Sequence, residues 1–159
     1  MDKILQKLSE NARISTADLA KIANLSPAEV EEKIAEYEKA GVIHGYTAIL
    51  DDSAYGDGEV RALIEVRITP RREGGFDEVA RRIAKFPEVW DLFLVSGSYD
   101  LLLTVRGNSL QEVAKFVAAK LATIDGVIST STSFQLKKYK ELGRMREDDE
   151  DYERLQVCP

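Results

Sequence analysis

The apolar residues of this chain change their spacing once, near residue 42, and that change limits what the chain can fold into. Before it they recur every three or four residues, as on one face of a helix. Ile4, Leu5 and Leu8 predict a first helix ending near Asn11. Ser15 and Asp18 are spaced as a capping box that opens a second helix, carrying Leu19, Ala20, Ile22 and Ala23. "NLS" then makes a turn into a third, "LSPAEVEEKIAEYEKAG". There Ser26 is an N-cap, Pro27 suits the first helical position, and Glu29 closes a capping box. Gly41 supplies the left-handed residue that ends it, and Val30, Ile34 and Tyr37 form its apolar stripe. "VIHGYTAIL" follows and predicts a short β-hairpin or wing bending at His44-Gly45.

After Gly58 strands alternate with helices. "VRALIEVRI" places Val60, Ala62, Ile64, Val66 and Ile68 on one face and mostly charged residues on the other. "TPRREGG" is a loop, and "FDEVARRIAKF" an amphipathic helix stopped by Pro87. "VWDLFLV" and "YDLLLTV" are strands joined by a tight turn at "SGS". Ser109 and Glu112 then cap a helix with the stripe Val113, Phe116, Val117, Ala118 and Leu121. In "VISTSTSFQLK" Ile128, Phe134 and Leu136 share one face, and Ser129, Ser131 and Ser133 the other. The order is β-α-β-β-α-β, the ferredoxin-like split arrangement. The expected class is α+β: a helix-turn-helix unit at residues 1–50, a linker at 51–58, the ferredoxin-like domain at 59–139 and a charged tail at 140–159. In that tail "EDDEDYE" reads as solvated, with "RLQVCP" as an arm for a partner subunit in the rival reading.

Composition narrows the function. The chain has 159 residues and no apolar run near the ~20 that a membrane span needs. Its first residues lack the pattern of a secretory signal. Cys158 is the only cysteine and His44 the only histidine, which excludes an internal disulfide and a Cys/His zinc site. We expect a cytoplasmic protein with no cofactor, no metal and no catalytic residues. The net charge of −6 is unfavourable for a nucleic-acid binder. Residues 1–55 hold six Lys/Arg against ten Asp/Glu, so the helical half is the more acidic one.

The segments "DKILQKLSENARIS", "LAKIANLSPAEV", "EKAGVIHGYTAILD", "SGSYDLLLTV" and "GVISTSTSFQLKKYK", in this order, resemble the Lrp/AsnC (feast/famine) family of transcriptional regulators. The resemblance covers essentially the whole chain. It implies a winged helix-turn-helix joined to an effector-sensing domain that also makes a homodimer, with assembly into tetramers or octamers. It implies two partners, operator DNA and a small metabolite such as an amino acid. The start of the third helix would face base edges through Ser26, Ala28, Glu29 and Lys33. Ser15, Thr16 and Lys21 complete the expected DNA-contacting set, and Lys3, Lys7 and Arg13 are candidates for the phosphate backbone. Glu36 departs from the family pattern, standing where a basic residue is common.

The "GSYD" turn suggests the effector site. Backbone N–H groups around Gly97, Ser98 and Tyr99 would hold a ligand carboxylate and Asp100 its ammonium, with Thr130, Ser131 and Ser133 as further donors. The bland alternative is that Gly97 frees the turn and Asp100 ties off local N–H groups. Two other functions stay open: a sensing or assembly protein that has lost DNA binding, favoured by the acidic third helix, and a siroheme decarboxylase-like subunit. His44 is expected on the surface, Trp90 at a sheet or subunit surface, and Tyr46 bracing the wing.

Overall fold

The computed structural model describes residues 2–51, 54, 58–70 and 75–146. The chain divides into two compact units, Met1–Leu50 and Asp51–Pro159. In the first unit α1 (Lys3–Glu10) starts at Asp2, whose carboxylate accepts from the Ile4 N–H at 2.7 Å. Helix α2 (Thr16–Ala23) starts at Ser15, which accepts from the Asp18 N–H. Asp18 returns an oxygen to the Ser15 hydroxyl at 2.7 Å, consistent with its side chain being shorter than the usual glutamate of a capping box. Asn24, in the left-handed conformation at φ 60°, turns the chain into α3 (Pro27–Lys39).

Both halves of the capping box form in α3 between Ser26 and Glu29. At its other end Gly41 (φ +68°) donates to the Glu38 carbonyl and Val42 to that of Tyr37, the paired closure of a Schellman motif. Ile4, Leu19, Ala20 and Val30 are buried together, and Leu8, Ile14, Leu25 and Ile34 pack around them. Partial burial and the neighbouring Asp2 carboxylate raise the Tyr37 hydroxyl's pKa, which places α3 beside the cap of α1. The predicted hairpin at 42–50 is not formed: residues 43–50 carry no strand pairing. Val42, Tyr46 and Leu50 are exposed, so no apolar face supports two short strands. Tyr46 does brace this segment, donating to Glu38 at 2.9 Å.

The second unit runs β1 (Val60–Ile68), α4 (Asp77–Ile83), β2 (Val89–Leu94), β3 (Leu101–Gly107), α5 (Leu110–Phe116), β4 (Val127–Phe134). Its antiparallel sheet has the order β2-β3-β1-β4. Ala62, Ile64, Val66 and Ile68 of β1 and Leu101, Leu103 and Val105 of β3 point to one face. Val79 and Ile83 of α4, Val113 and Phe116 of α5, and Leu121 and Ile124 cover it. The sheet's other face carries Leu63, Phe93 and Leu102 and, among the described residues of this unit, has no helix on it.

Several local expectations change. Helix α4 is shorter than predicted, with Phe76 as an N-cap that makes no side-chain bond. The connection at "SGS" is not a tight turn: Val95 N–H donates to the Asp100 carbonyl at 2.9 Å and closes a loop over 96–99. A π-helical turn, Val117–Leu121, follows α5. This wider turn brings Leu121 into the core and leaves Ala118 exposed, although the stripe had included it. In β4 the serines do share a face, but Ile128 (65% exposed) and Leu136 (96%) are not buried opposite them. The register shift between Arg67 and Ile68 takes Ile128 out of the alternation, and Leu136 lies past the strand's end.

The first residues of the expected tail are folded. β5 (Lys140–Glu141) and β6 (Arg144–Met145) make a hairpin through Leu142 and Gly143, both at positive φ. It is held by charge. Arg61, 9% exposed, pairs with Glu59 at 2.6 Å and reaches Glu141 at 4.0 Å, and Glu141 also takes Lys138 and Arg146. "EDDEDYE", "RLQVCP" and Cys158 lie outside the described residues.

Candidate functional site

Five of the seven expected DNA contacts lie at two helix starts, while Lys21 falls in the last turn of α2. Ser15 and Ser26 are the N-caps of α2 and α3, and Thr16 is the first residue of α2. Ala28 is exposed in the first turn of α3, while Lys33 is half-buried further along. Glu29 is already engaged: one of its oxygens accepts from both the Ser26 N–H and the Ser26 hydroxyl, each at 2.7 Å. Those two donors, with a smaller contribution from Lys33, hold its carboxyl below the usual range. That oxygen braces the start of the helix. Lys21 pairs with Asp18 at 3.3 Å and Lys7 with Glu10 at 2.6 Å. Exposed pairs of this kind are weak and exchange readily for a phosphate. Glu31, Glu32, Glu36 and Glu38 are exposed and form a solvated face of α3.

In the second unit the 96–99 loop meets β1 and β4 around a cavity of about 230 Å³, lined by Glu65, Arg67, Ser98, Tyr99, Ser129, Thr130 and Ser131. Four of the seven expected effector residues meet there: Ser98, Tyr99, Thr130 and Ser131. Gly97, Asp100 and Ser133 do not line it. Asp100 turns its carboxylate to the Ile68 N–H at 2.8 Å and donates its own N–H to the Val66 carbonyl at 3.0 Å. It ties the loop to β1 through an N–H remote in sequence, not through the local N–H groups of the bland alternative. Glu65, Arg67 and Ser129 were missed. The register explains their presence, since Glu65 stands across from Ser131 and Arg67 from Ser129. Arg67 also clamps the loop, donating from Nε to the Ser98 carbonyl at 2.7 Å.

Of the remaining residues, His44 is exposed. Trp90 is 60% exposed, with the Arg106 guanidinium carbon 3.5 Å from its ring centroid, a cation–π stack. Among the described residues no group of three His, Cys, Asp or Glu is placed to hold a metal. No helix among them is long and apolar enough to cross a membrane.

Comparison with known proteins agrees with this division. Residues 3–44 match the model of a winged helix-turn-helix DNA-binding domain and residues 61–145 that of the Lrp/AsnC ligand binding domain. The HTH-type transcriptional regulator YugG of Bacillus subtilis is 46% identical over 99% of this chain and 95% of its own. The leucine-responsive regulatory protein of Haemophilus influenzae is 32% identical over 87% and 83%. Among solved structures, a Neisseria meningitidis transcriptional regulator in complex with L-Met is 31% identical, covers 87% of this chain and 89% of that one, and superposes with a TM-score of 0.68. The AsnC of E. coli, at 24% identity and a TM-score of 0.65, shares the fold. The chain therefore belongs to the Lrp/AsnC family, as a DNA-binding transcriptional regulator with a helix-turn-helix head and a ligand-binding domain.

Proposed function

We propose that the cavity between the 96–99 loop and β4 binds an amino acid, and that its occupancy changes how subunits assemble on operator DNA. The observation that carries this is the cavity itself, polar and large enough for such a ligand, formed by four of the residues that the sequence nominates. The L-Met held by the Neisseria relative supports an amino acid as the ligand class. The face of the sheet without helices supports a homodimer, because Leu63 and Phe93 are exposed there beside Leu102. The cavity lies on that side of β1, so a ligand would sit near the subunit boundary and favour one assembly geometry over another. Tetramers or octamers would then combine modest contacts from an acidic head through effective concentration. In this reading the protein works in the cytoplasm, and its response involves binding alone, without a catalytic step.

A gel shift at low salt, using the region upstream of its own coding sequence with and without each amino acid, tests the proposal. A shift whose mobility or midpoint changes with one amino acid is expected. The second reading, a sensor that has lost DNA binding, is favoured by the five exposed glutamates of α3. It would hold if an amino acid changes the assembly state in sedimentation while no promoter fragment is retained.

A further inference from the structure

Of the groups that line the cavity, the two charged ones have no part in holding the core. Glu65 and Arg67 lie two residues apart on β1, on the exposed face of the sheet, about 7 Å apart along the strand. The Arg67 guanidinium is fixed by its bond to the Ser98 carbonyl, which takes the Nε hydrogen. Its terminal N–H pairs keep the planar fork that suits a carboxylate. Among the described residues the Glu65 carboxylate has no hydrogen-bond or ion-pair partner. Asp100, the residue nearest in sequence that could answer an ammonium, already accepts from the Ile68 N–H and does not reach the cavity lining.

We infer that Glu65 and Arg67 form the zwitterion clamp of the effector site, Arg67 receiving the α-carboxylate of the amino acid and Glu65 its α-ammonium. The inference rests on the proposal that this cavity is the effector site. Its chemistry is a matched pair of opposite charges, one held by the loop and one free, at the side of a pocket otherwise lined by hydroxyl-bearing residues. The side chain of the ligand then faces Ser129, Thr130 and Ser131.

The test uses the full-length protein. Thermal-shift screening of the proteinogenic L-amino acids at millimolar concentration finds the binders, and calorimetry gives their affinities. Glu65→Gln and Arg67→Gln are each expected to weaken binding about tenfold or more, the size of one charge-assisted hydrogen bond. The binder's N-acetyl derivative and its α-amide separate the two roles. Wild type should reject both. Glu65→Gln should lose its preference for the free amine over the N-acetyl form, and Arg67→Gln its preference for the acid over the amide. Glu65 is exposed, so its variant is expected to fold, and circular dichroism checks both proteins. If wild type binds an amino acid and the variants bind it equally well, the clamp is overturned while the effector site stands. If they weaken but keep both preferences, the assignment of roles is overturned. If wild type binds no amino acid in any assembly state, the underlying proposal fails and the clamp with it.

Discussion

At Asp100 one carboxylate oxygen satisfies the Ile68 N–H, at the point where the pairing of β1 with β4 slips by a residue. A backbone donor at an irregular position needs such an acceptor. Asp100→Ala should therefore lower stability by about 1–3 kcal/mol in urea unfolding, and Asp100→Asn, which keeps an oxygen there, should recover most of it. At Ser26 the side chain caps α3 and its N–H holds Glu29. Ser26→Ala should cost about 1 kcal/mol in the same measurement. The carboxyls of Asp2, Asp18 and Glu29 are all held below their ordinary range. Asp2 is held mainly by the Ile4 N–H, Asp18 by the Ser15 hydroxyl, and Glu29 by the Ser26 N–H. Because these groups bind protons less readily when folded, their contribution is present above the unfolded carboxylate pKa and fades as pH falls through the lowered values. Helix content of residues 1–50, followed by circular dichroism, should decline below about pH 4. All three groups are exposed, so added salt should blunt the effect.

The elements show which parts of the fold could be read from sequence. The caps of α3 are local: Ser26, Glu29 and Gly41 act on residues within one turn, and each was legible. The alternation of β1 was legible for the same reason, and it identified the buried positions Ala62, Ile64, Val66 and Ile68 correctly. The contributions of Glu65 and Arg67 to the cavity were not legible, since only the pairing with a strand more than sixty residues away puts them beside serines. The β5–β6 hairpin was missed because its turn lies in a charged stretch and its anchor, Arg61, is remote in sequence. Arg61 is the one charged residue buried as a whole among the described residues. Arg61→Met should leave Glu59 and Glu141 without their buried partner and lower the melting temperature, by an amount corresponding to about 2–3 kcal/mol. Adding Glu141→Gln should restore part of the loss.

For the whole molecule, a net charge of −6 meets a polyanion. Each phosphate neutralised adds about 0.9 to the slope of log affinity against log salt. With few cations in the head and two of them, Lys7 and Lys21, already paired, the slope measured by fluorescence anisotropy should stay well short of ~10. A slope near that value would contradict the weak-contact account of operator binding. The sheet order adds a consequence of another kind. Strand β4 lies at the sheet's rim, and from Val127 to Leu136 it offers no charged side chain to discourage a neighbour. Natural rims usually carry lysine, proline or a bulge against unwanted pairing. Here hydroxyl groups and one slip in register stand in for them. Once loosened by heat or overexpression, the protein should recruit further copies along this edge, so that precipitation, more than unfolding, sets its upper working temperature.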